Sequence, residues 1–313
     1  MIPVPSEEPA LLPPHDGVLI NYLILAHEQP QQLARLLHRL LSGNFDTAVV
    51  HVDRTSDQTP FEREVRHLGD RVRFVERRQN VRWGGFSMCR ATLEAMRIGV
   101  ELGQDYQVLV SGADYPIRPV PELRAEMASG AIYLDSRPLP VPEWEMPLTR
   151  LSRFGFVLKN RRSRVRHVIY SALQVFPPRN VAKGLGGRRP FGGFQWWAFP
   201  QAVATSVLGF ADRERSFVRF YSRSSLPDES FFHTIVAAEH PGHPVRHSLT
   251  WADWGREAKV QPAVLGSADL PLLAEAARDG YFFARKFDCL ADRDVYDLID
   301  RDLLPGPSEA GRP

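Results

Sequence analysis

Val18-Leu19-Ile20-Asn21-Tyr22-Leu23-Ile24-Leu25, followed by Ala26-His27, is the stretch from which the fold is read. Its first eight residues are almost all apolar or β-prone, as in a strand buried on both faces; a half-buried strand would alternate. The next segment has another period. Leu33, Leu36, Leu37, Leu40 and Leu41 stand at i, i+3, i+4, i+7 and i+8 and form one apolar helical stripe. The alternation then repeats: strand over 47–52, helix near 61–68, a short strand over 72–75, helix over 87–101 with Leu93, Met96 and Val100 on one face, and strands over 107–110 and 131–134. Strands alternating with helices imply an α/β fold in which a mostly parallel central sheet is flanked by helices through right-handed crossovers.

Such sheets take ligands beyond the carboxyl ends of their strands. Four places qualify, each polar or glycine-rich where a strand or connector stops: Ala26-His27, His51-Val52-Asp53, Trp83-Gly84-Gly85 and Ser111-Gly112-Ala113-Asp114. The second half differs in character. Residues 150–190 hold eleven Lys or Arg and no Asp or Glu. An aromatic run, Gly192-Gly193-Phe194-Gln195-Trp196-Trp197-Ala198-Phe199, reads as a strand behind a glycine turn. Ser225-Leu226-Pro227-Asp228-Glu229 opens a helix over 230–239, and Tyr281-Phe282-Phe283-Ala284-Arg285-Lys286-Phe287-Asp288 precedes a last amphipathic helix.

A length of 313 residues with 43% hydrophobic and 24% charged residues suits one globular domain. Its expected bounds are 17–304, between a loose leader over 1–16, rich in proline and glutamate, and a loose tail over 305–313. Cys89 and Cys289 are too few for a disulfide framework and lack metal-ligand spacing, which suggests a reducing, cytoplasmic setting. No stretch reaches the roughly 18 apolar residues of a membrane span, and no secretory signal pattern opens the chain.

Six of these segments, in order over residues 20–290, together resemble the Core-2/I-branching enzyme family of glycosyltransferases: Tyr22-Leu23-Ile24-Leu25-Ala26-His27, His51-Val52-Asp53, Trp83-Gly84-Gly85, Ser111-Gly112-Ala113-Asp114-Tyr115-Pro116-Ile117-Arg118, Leu226-Pro227-Asp228-Glu229-Ser230-Phe231-Phe232 and Phe283-Ala284-Arg285-Lys286-Phe287. The family includes β-1,6-N-acetylglucosaminyltransferases and peptide O-xylosyltransferases, and the last two segments are worded nearer the xylosyltransferase branch. The resemblance implies a GT-A type nucleotide-sugar-binding fold, a UDP-sugar donor (N-acetylglucosamine first, xylose second), inversion to a β-glycoside, and no metal ion or other cofactor.

Inverting transfer needs a base on the acceptor hydroxyl, a stabiliser for the departing diphosphate and a floor that aligns the two substrates. By motif position Glu229 is the base; as a bare residue it could equally be a helix N-terminal carboxylate, a role that Asp228 fits better as an N-cap. A helix N-terminus would keep Glu229 ionised but make it a weaker base. Arg285 and Lys286 are assigned to the diphosphate, against the alternative of surface charges beside an aromatic strand. The only Asp-x-Asp triplets, Asp292-Arg293-Asp294 and Asp300-Arg301-Asp302, lie near the C-terminus and read as a solvated helix face rather than a metal cage.

Ala26, His27 and Asp53 are expected to line the nucleoside pocket, with Asp53 accepting from uracil or ribose. His27 could instead be a buried histidine satisfied by backbone. Trp83 with Gly84 suggests a wall against the sugar, or core packing. Asp114 binds sugar hydroxyls or caps the turn before Pro116. Of Trp196 and Trp197, opposite in direction on a strand, one can be core while the other stacks on a sugar.

The basic segment reads as a solvated loop, a pocket edge for an anionic acceptor, or a contact to an anionic membrane; nucleic acid is not expected, because no recognition fold accompanies the charge. Two other classes compete with the enzyme. A non-catalytic nucleotide-sugar or glycan-binding module would bind UDP without turnover, and a nucleic-acid binder would take any polyanion with steep salt dependence.

Overall fold

A computed structural model describes residues 17–43, 45–141, 148–155, 176–255 and 261–304. Its centre is a seven-stranded sheet in the order β10-β6-β9-β4-β1-β2-β3, where β1 is Ile20–Ala26, β2 Thr47–Val52, β3 Val72–Phe74, β4 Tyr106–Ser111, β6 Ile132–Leu134, β9 Trp197–Pro200 and β10 Val245–Arg246. Strands β3, β2, β1 and β4 run parallel. The aromatic strand β9 is antiparallel to both β4 and β6. This is the mostly parallel α/β architecture that the GT-A resemblance implies.

Side chains of the central strands alternate between two cores. Ile20, Tyr22, Ile24 and Ala26 of β1 join Val50, Val52, Val108 and Val110 on one face, where the helices Pro30–Leu40, Thr59–Val65, Leu270–Arg278 and Asp294–Asp302 cover them. Leu23, Val49 and Leu109 point to the other, beneath the helices Ser87–Leu102, Gln201–Arg213, Arg215–Tyr221 and Phe231–Glu239. Full cover on both faces is why the strands read as continuous apolar runs. The polar exception, Asn21, donates to Gln107 at 2.6 Å and accepts from Thr47 at 2.9 Å. Gly99 faces this pair from helix Ser87–Leu102, and a Cβ there would collide with both side chains. A glycine inside a helix costs about 1 kcal/mol; here it permits the close approach.

A second sheet, β11-β12-β5, sits at the end of the first. Its strands are β5 Asp114–Pro116, β11 Thr250–Ala252 and β12 Phe283–Arg285. A two-stranded pair, β7 Arg137–Pro138 and β8 Phe191–Gly192, precedes the aromatic run. Both put motif residues on short strands: Asp114 pairs with Arg285 across β5 and β12.

Candidate active site

Pro227–Glu229 forms one turn of 3-10 helix, entered through Leu226 in the left-handed region at φ 47°. Such a conformation is uncommon for a branched residue and persists only where the surroundings fix it. Three neighbours do so. The Leu226 N–H donates to the Gly84 carbonyl at 3.0 Å, the Gly193 N–H to the Glu229 carbonyl at 3.0 Å, and the Ser225 N–H to the Arg150 carbonyl at 3.0 Å. Behind the turn, the Tyr221 hydroxyl meets Thr234 Oγ1 at 2.8 Å and Ser230 Oγ at 3.0 Å, and Ser230 Oγ donates to the Phe191 carbonyl at 2.6 Å.

The two acids of the turn have different surroundings. The Glu229 side chain is 28% exposed and pairs with the Arg150 guanidinium. Asp228 is 6% exposed, and its Oδ1 has no hydrogen-bond partner among the described residues. The expectation that Asp228 caps the following helix is not met: that helix starts at Phe231 behind Ser230, with no side-chain cap. Burial, with the charge of Glu229 added, pushes the Asp228 carboxyl up to about 7. Burial also raises Glu229; Arg150 opposes it, and the net stays above the ordinary carboxylate value. Desolvation therefore outweighs the pull toward a weaker base, and Glu229 gains proton affinity.

On the opposite side, β1 ends at buried Ala26, and His27 stands in solvent, its side chain 68% exposed and 3.3 Å from Glu28. The buried-histidine alternative is thus excluded. Asp53 Oδ1 accepts from the Thr55 N–H at 2.7 Å and the Thr55 hydroxyl at 2.6 Å, while Oδ2 accepts from the Val81 N–H at 2.6 Å. Burial works to raise the Asp53 carboxyl, but these bonds together hold it below its ordinary value. About three of its four lone-pair sites are thereby used, leaving one for a ligand. His51, which the sequence offered only as part of a motif, is buried, and burial lowers it to about 4. Its neutral Nε2 accepts from the Gln79 N–H at 2.8 Å.

The cation pair also divides. The Arg285 guanidinium lies 4.3 Å over the Trp196 ring, with Nε 3.5 Å from buried Asp114. Asp114 further accepts from the Ser111 N–H at 2.8 Å and hydroxyl at 2.7 Å. Burial raises Asp114 and lowers Arg285, each opposed by the other's charge. Asp114 thus caps the turn before Pro116, through Ser111, and also lies beside the Arg285 guanidinium. Lys286 follows; its charge adds to the hydrogen bonds from Leu290 and Gln29 that hold Asp288 below its ordinary value. Trp197 is core, stacked 4.0 Å from Phe199. Trp196 is buried as well, so neither indole face is open to a sugar in this structure. Trp83, by contrast, is 51% exposed, and Gly84 at φ 77° turns the chain beside it.

Two short connectors bring these parts together. Gly193 is bonded to Glu229, and Trp196, three residues on, lies beneath Arg285; at most about 11 Å of backbone separates them. Val81 is bonded to Asp53, and Gly84, again three residues on, to Leu226, the same limit of about 11 Å. The Glu229 turn, the Trp196 ring against Arg285 and the end of β2 are thus joined by short backbone links.

Arg150, 79 residues from Glu229 in sequence, was not singled out among the eleven basic residues of 150–190. Two other described members of that segment serve the fold: Arg179 donates to the Phe220 carbonyl at 2.6 Å and lies 3.8 Å over its ring, and Arg188 reaches Glu214 at 3.1 Å. Residues 156–175 of the segment lie outside the described residues. The Asp-x-Asp triplets are not a merely solvated face. Asp292 accepts from the backbone of Ser267, Asp294 and Val295, and Asp300 takes Arg35, Arg39 and the Tyr115 hydroxyl. Among the described residues no helix is long and apolar enough to cross a membrane.

The family model described as Core-2/I-Branching enzyme matches residues 20–138 and 162–270. Over 316 residues the chain is 28% identical to xylosyltransferase 2 of Homo sapiens, covering 93% of this chain and 34% of that protein. It is 26% identical over 329 residues to xylosyltransferase 1 of Rattus norvegicus, covering 96% and 37%. The chain thus spans roughly a third of the length of these curated relatives. Among solved structures, the apo WbbM bifunctional glycosyltransferase is similar at 12% identity and TM-score 0.42, covering 96% of this chain and 52% of that one. Apo mouse xyloside xylosyltransferase 1 is similar at 13% identity and TM-score 0.37, covering 85% and 97%.

Proposed function

Because the chain belongs to the Core-2/I-branching enzyme family, we propose that it is an inverting glycosyltransferase that uses a UDP-sugar and a hydroxyl acceptor. Glu229 takes the acceptor proton as the acceptor oxygen bonds to the anomeric carbon. The bond from that carbon to the diphosphate oxygen breaks on the opposite face, giving a β-glycoside and UDP. Lys286, with Arg285 behind it, stabilises the charge gathering on the departing diphosphate. Arg285 is engaged by Asp114 and Trp196, so the direct contact is assigned first to Lys286.

The observation that carries this reading is the Gly193–Trp196 connector, which ties the turn of the base to the ring beneath the cation. The connector holds Gly193, bonded to the turn that carries Glu229, within about 11 Å of backbone of Trp196, which lies against Arg285. The nucleoside is assigned to Ala26, His27 and the remaining acceptor site of Asp53, with Trp83 and Gly84 beside the sugar. The names of the curated relatives favour xylose as the donor sugar, ahead of N-acetylglucosamine. Because Asp292 and Asp300 are engaged in fold-holding bonds, the diphosphate charge is assigned to the two cations without a metal ion.

The test is UDP release from UDP-xylose and from UDP-N-acetylglucosamine, with a panel of hydroxyl acceptors and mass analysis of the products. UDP binding without release from any donor would support a non-catalytic nucleotide-sugar module instead.

A further inference from the structure

The strand end that carries Lys286 is joined to the β4 turn by the Phe287 N–H, which donates to the Ala113 carbonyl at 2.8 Å, and to the helix behind β1 by a buried carboxamide. Gln32, 3% exposed, lies in the first turn of the helix Pro30–Leu40, which begins directly behind the Ala26-His27 loop. Its Nε2 donates to the Gly112 carbonyl at 2.9 Å and to the Phe287 carbonyl at 3.1 Å, and its Oε1 accepts from the Cys289 N–H at 2.9 Å. Gly112 belongs to the turn after β4 and packs on Ala26, where a Cβ would come within 3.3 Å of the Ala26 Cβ. Phe287 and Cys289 bracket the segment that follows Lys286. Gln29 repeats the tie nearby, with Nε2 donating to Asp288 at 2.7 Å.

The geometry points to Gln32 as a positioning residue for the donor, fixing Lys286 at a set distance from the nucleoside pocket. Three structural pieces meet at it: the helix behind β1, the β4 turn and the tail of β12. Both amide hydrogens and the carbonyl are engaged, so its rotamer is locked and it transmits position rather than charge. Loosening it leaves the nucleoside contacts in place and lets the ammonium of Lys286 drift from the diphosphate. This inference rests on the assignment of Lys286 to the diphosphate.

The test is a double-mutant cycle read by UDP and uridine binding. Gln32→Met keeps volume and removes all three bonds. Gln32→Asn keeps the amide but shortens its reach, and serves if the first variant melts early. Each is expected to lose about tenfold in UDP affinity and none in uridine affinity. In a Lys286→Ala background, Gln32→Met is expected to lose nothing further.

Equal losses for UDP and uridine, or an additive loss in the double variant, would make Gln32 a merely structural residue and overturn the proposal. Unchanged UDP affinity in both Gln32 variants, beside a weakened Lys286→Ala, overturns the proposal alone. A Lys286→Ala protein with wild-type UDP affinity overturns the diphosphate assignment as well.

Discussion

Replacing Glu229 by Gln keeps the length and one oxygen of the side chain and removes its ability to take a proton. A general base within reach contributes about 10²–10⁴-fold, equivalent to about 2.7–5.5 kcal/mol of barrier at 1.36 kcal/mol per decade. The fold has less to lose. The ion pair with Arg150 joins side chains that are 27% and 28% exposed, so solvent screening limits it to about 1 kcal/mol, and the amide oxygen of Gln still accepts from Arg150. In a chain of this size the melting temperature is expected to move by no more than about 2–4 °C. Asp228→Asn is the matched control. Asp228 is buried and pushed up to about 7, and Asn is close in shape to its protonated form. Initial rates of UDP release, UDP affinity and melting curves are measured on both variants. The expectation is a turnover loss of at least about 100-fold for Glu229→Gln at unchanged UDP affinity, and most activity retained by Asp228→Asn. A Glu229→Gln enzyme with more than about a tenth of wild-type turnover, or an inactive Asp228→Asn beside it, would refute the assignment.

Four further outcomes are expected. Because Glu229 sits above its ordinary value while Arg150 opposes the rise, activity should fall as pH drops through that raised value; Arg150→Gln should shift this acid limb to higher pH, and an unmoved limb would uncouple the two residues. Asp228 is raised relative to the unfolded chain, so its contribution to stability is full below about pH 4 and is lost as pH rises through about 7; melting curves from pH 5 to 8 should show Asp228→Asn gaining on the wild type, and a constant difference would contradict this. Lys286→Ala should weaken UDP binding by about 1.5–3 kcal/mol, roughly one to two orders of magnitude by calorimetry. Turnover should persist in excess EDTA, and loss with recovery on adding Mn²⁺ would return the diphosphate charge to a metal ion.

The legible parts of the fold were those with a long period. β1, β2 and β4 announced themselves as apolar runs because helices cover both faces of the sheet. The stripe from Leu33 to Leu40 announced its helix for the complementary reason. β5, β11 and β12 come from three distant parts of the chain, so nothing local showed that they form a sheet, and with it the pairing of Asp114 with Arg285. The antiparallel direction of β9 is likewise set by its neighbours and not by its composition. Within the site, residue types located the acids and cations, but their roles turned on burial. Asp228 and Glu229 are adjacent in sequence, yet one is enclosed and the other meets Arg150. No local pattern distinguished Arg150 from its basic neighbours, and its partner is fixed only when the loop folds back on the 3-10 turn.

The segment from Val81 to Gly84 has one anchor at Asp53 and the other at Leu226. Most surface loops absorb insertions readily, because lengthening them adds little entropy and disturbs no contact. This one is a spacer between Asp53 and Leu226, two residues far apart in the chain. The gain or loss of one residue in it would alter the separation of Asp53 from the Leu226 turn in a single step.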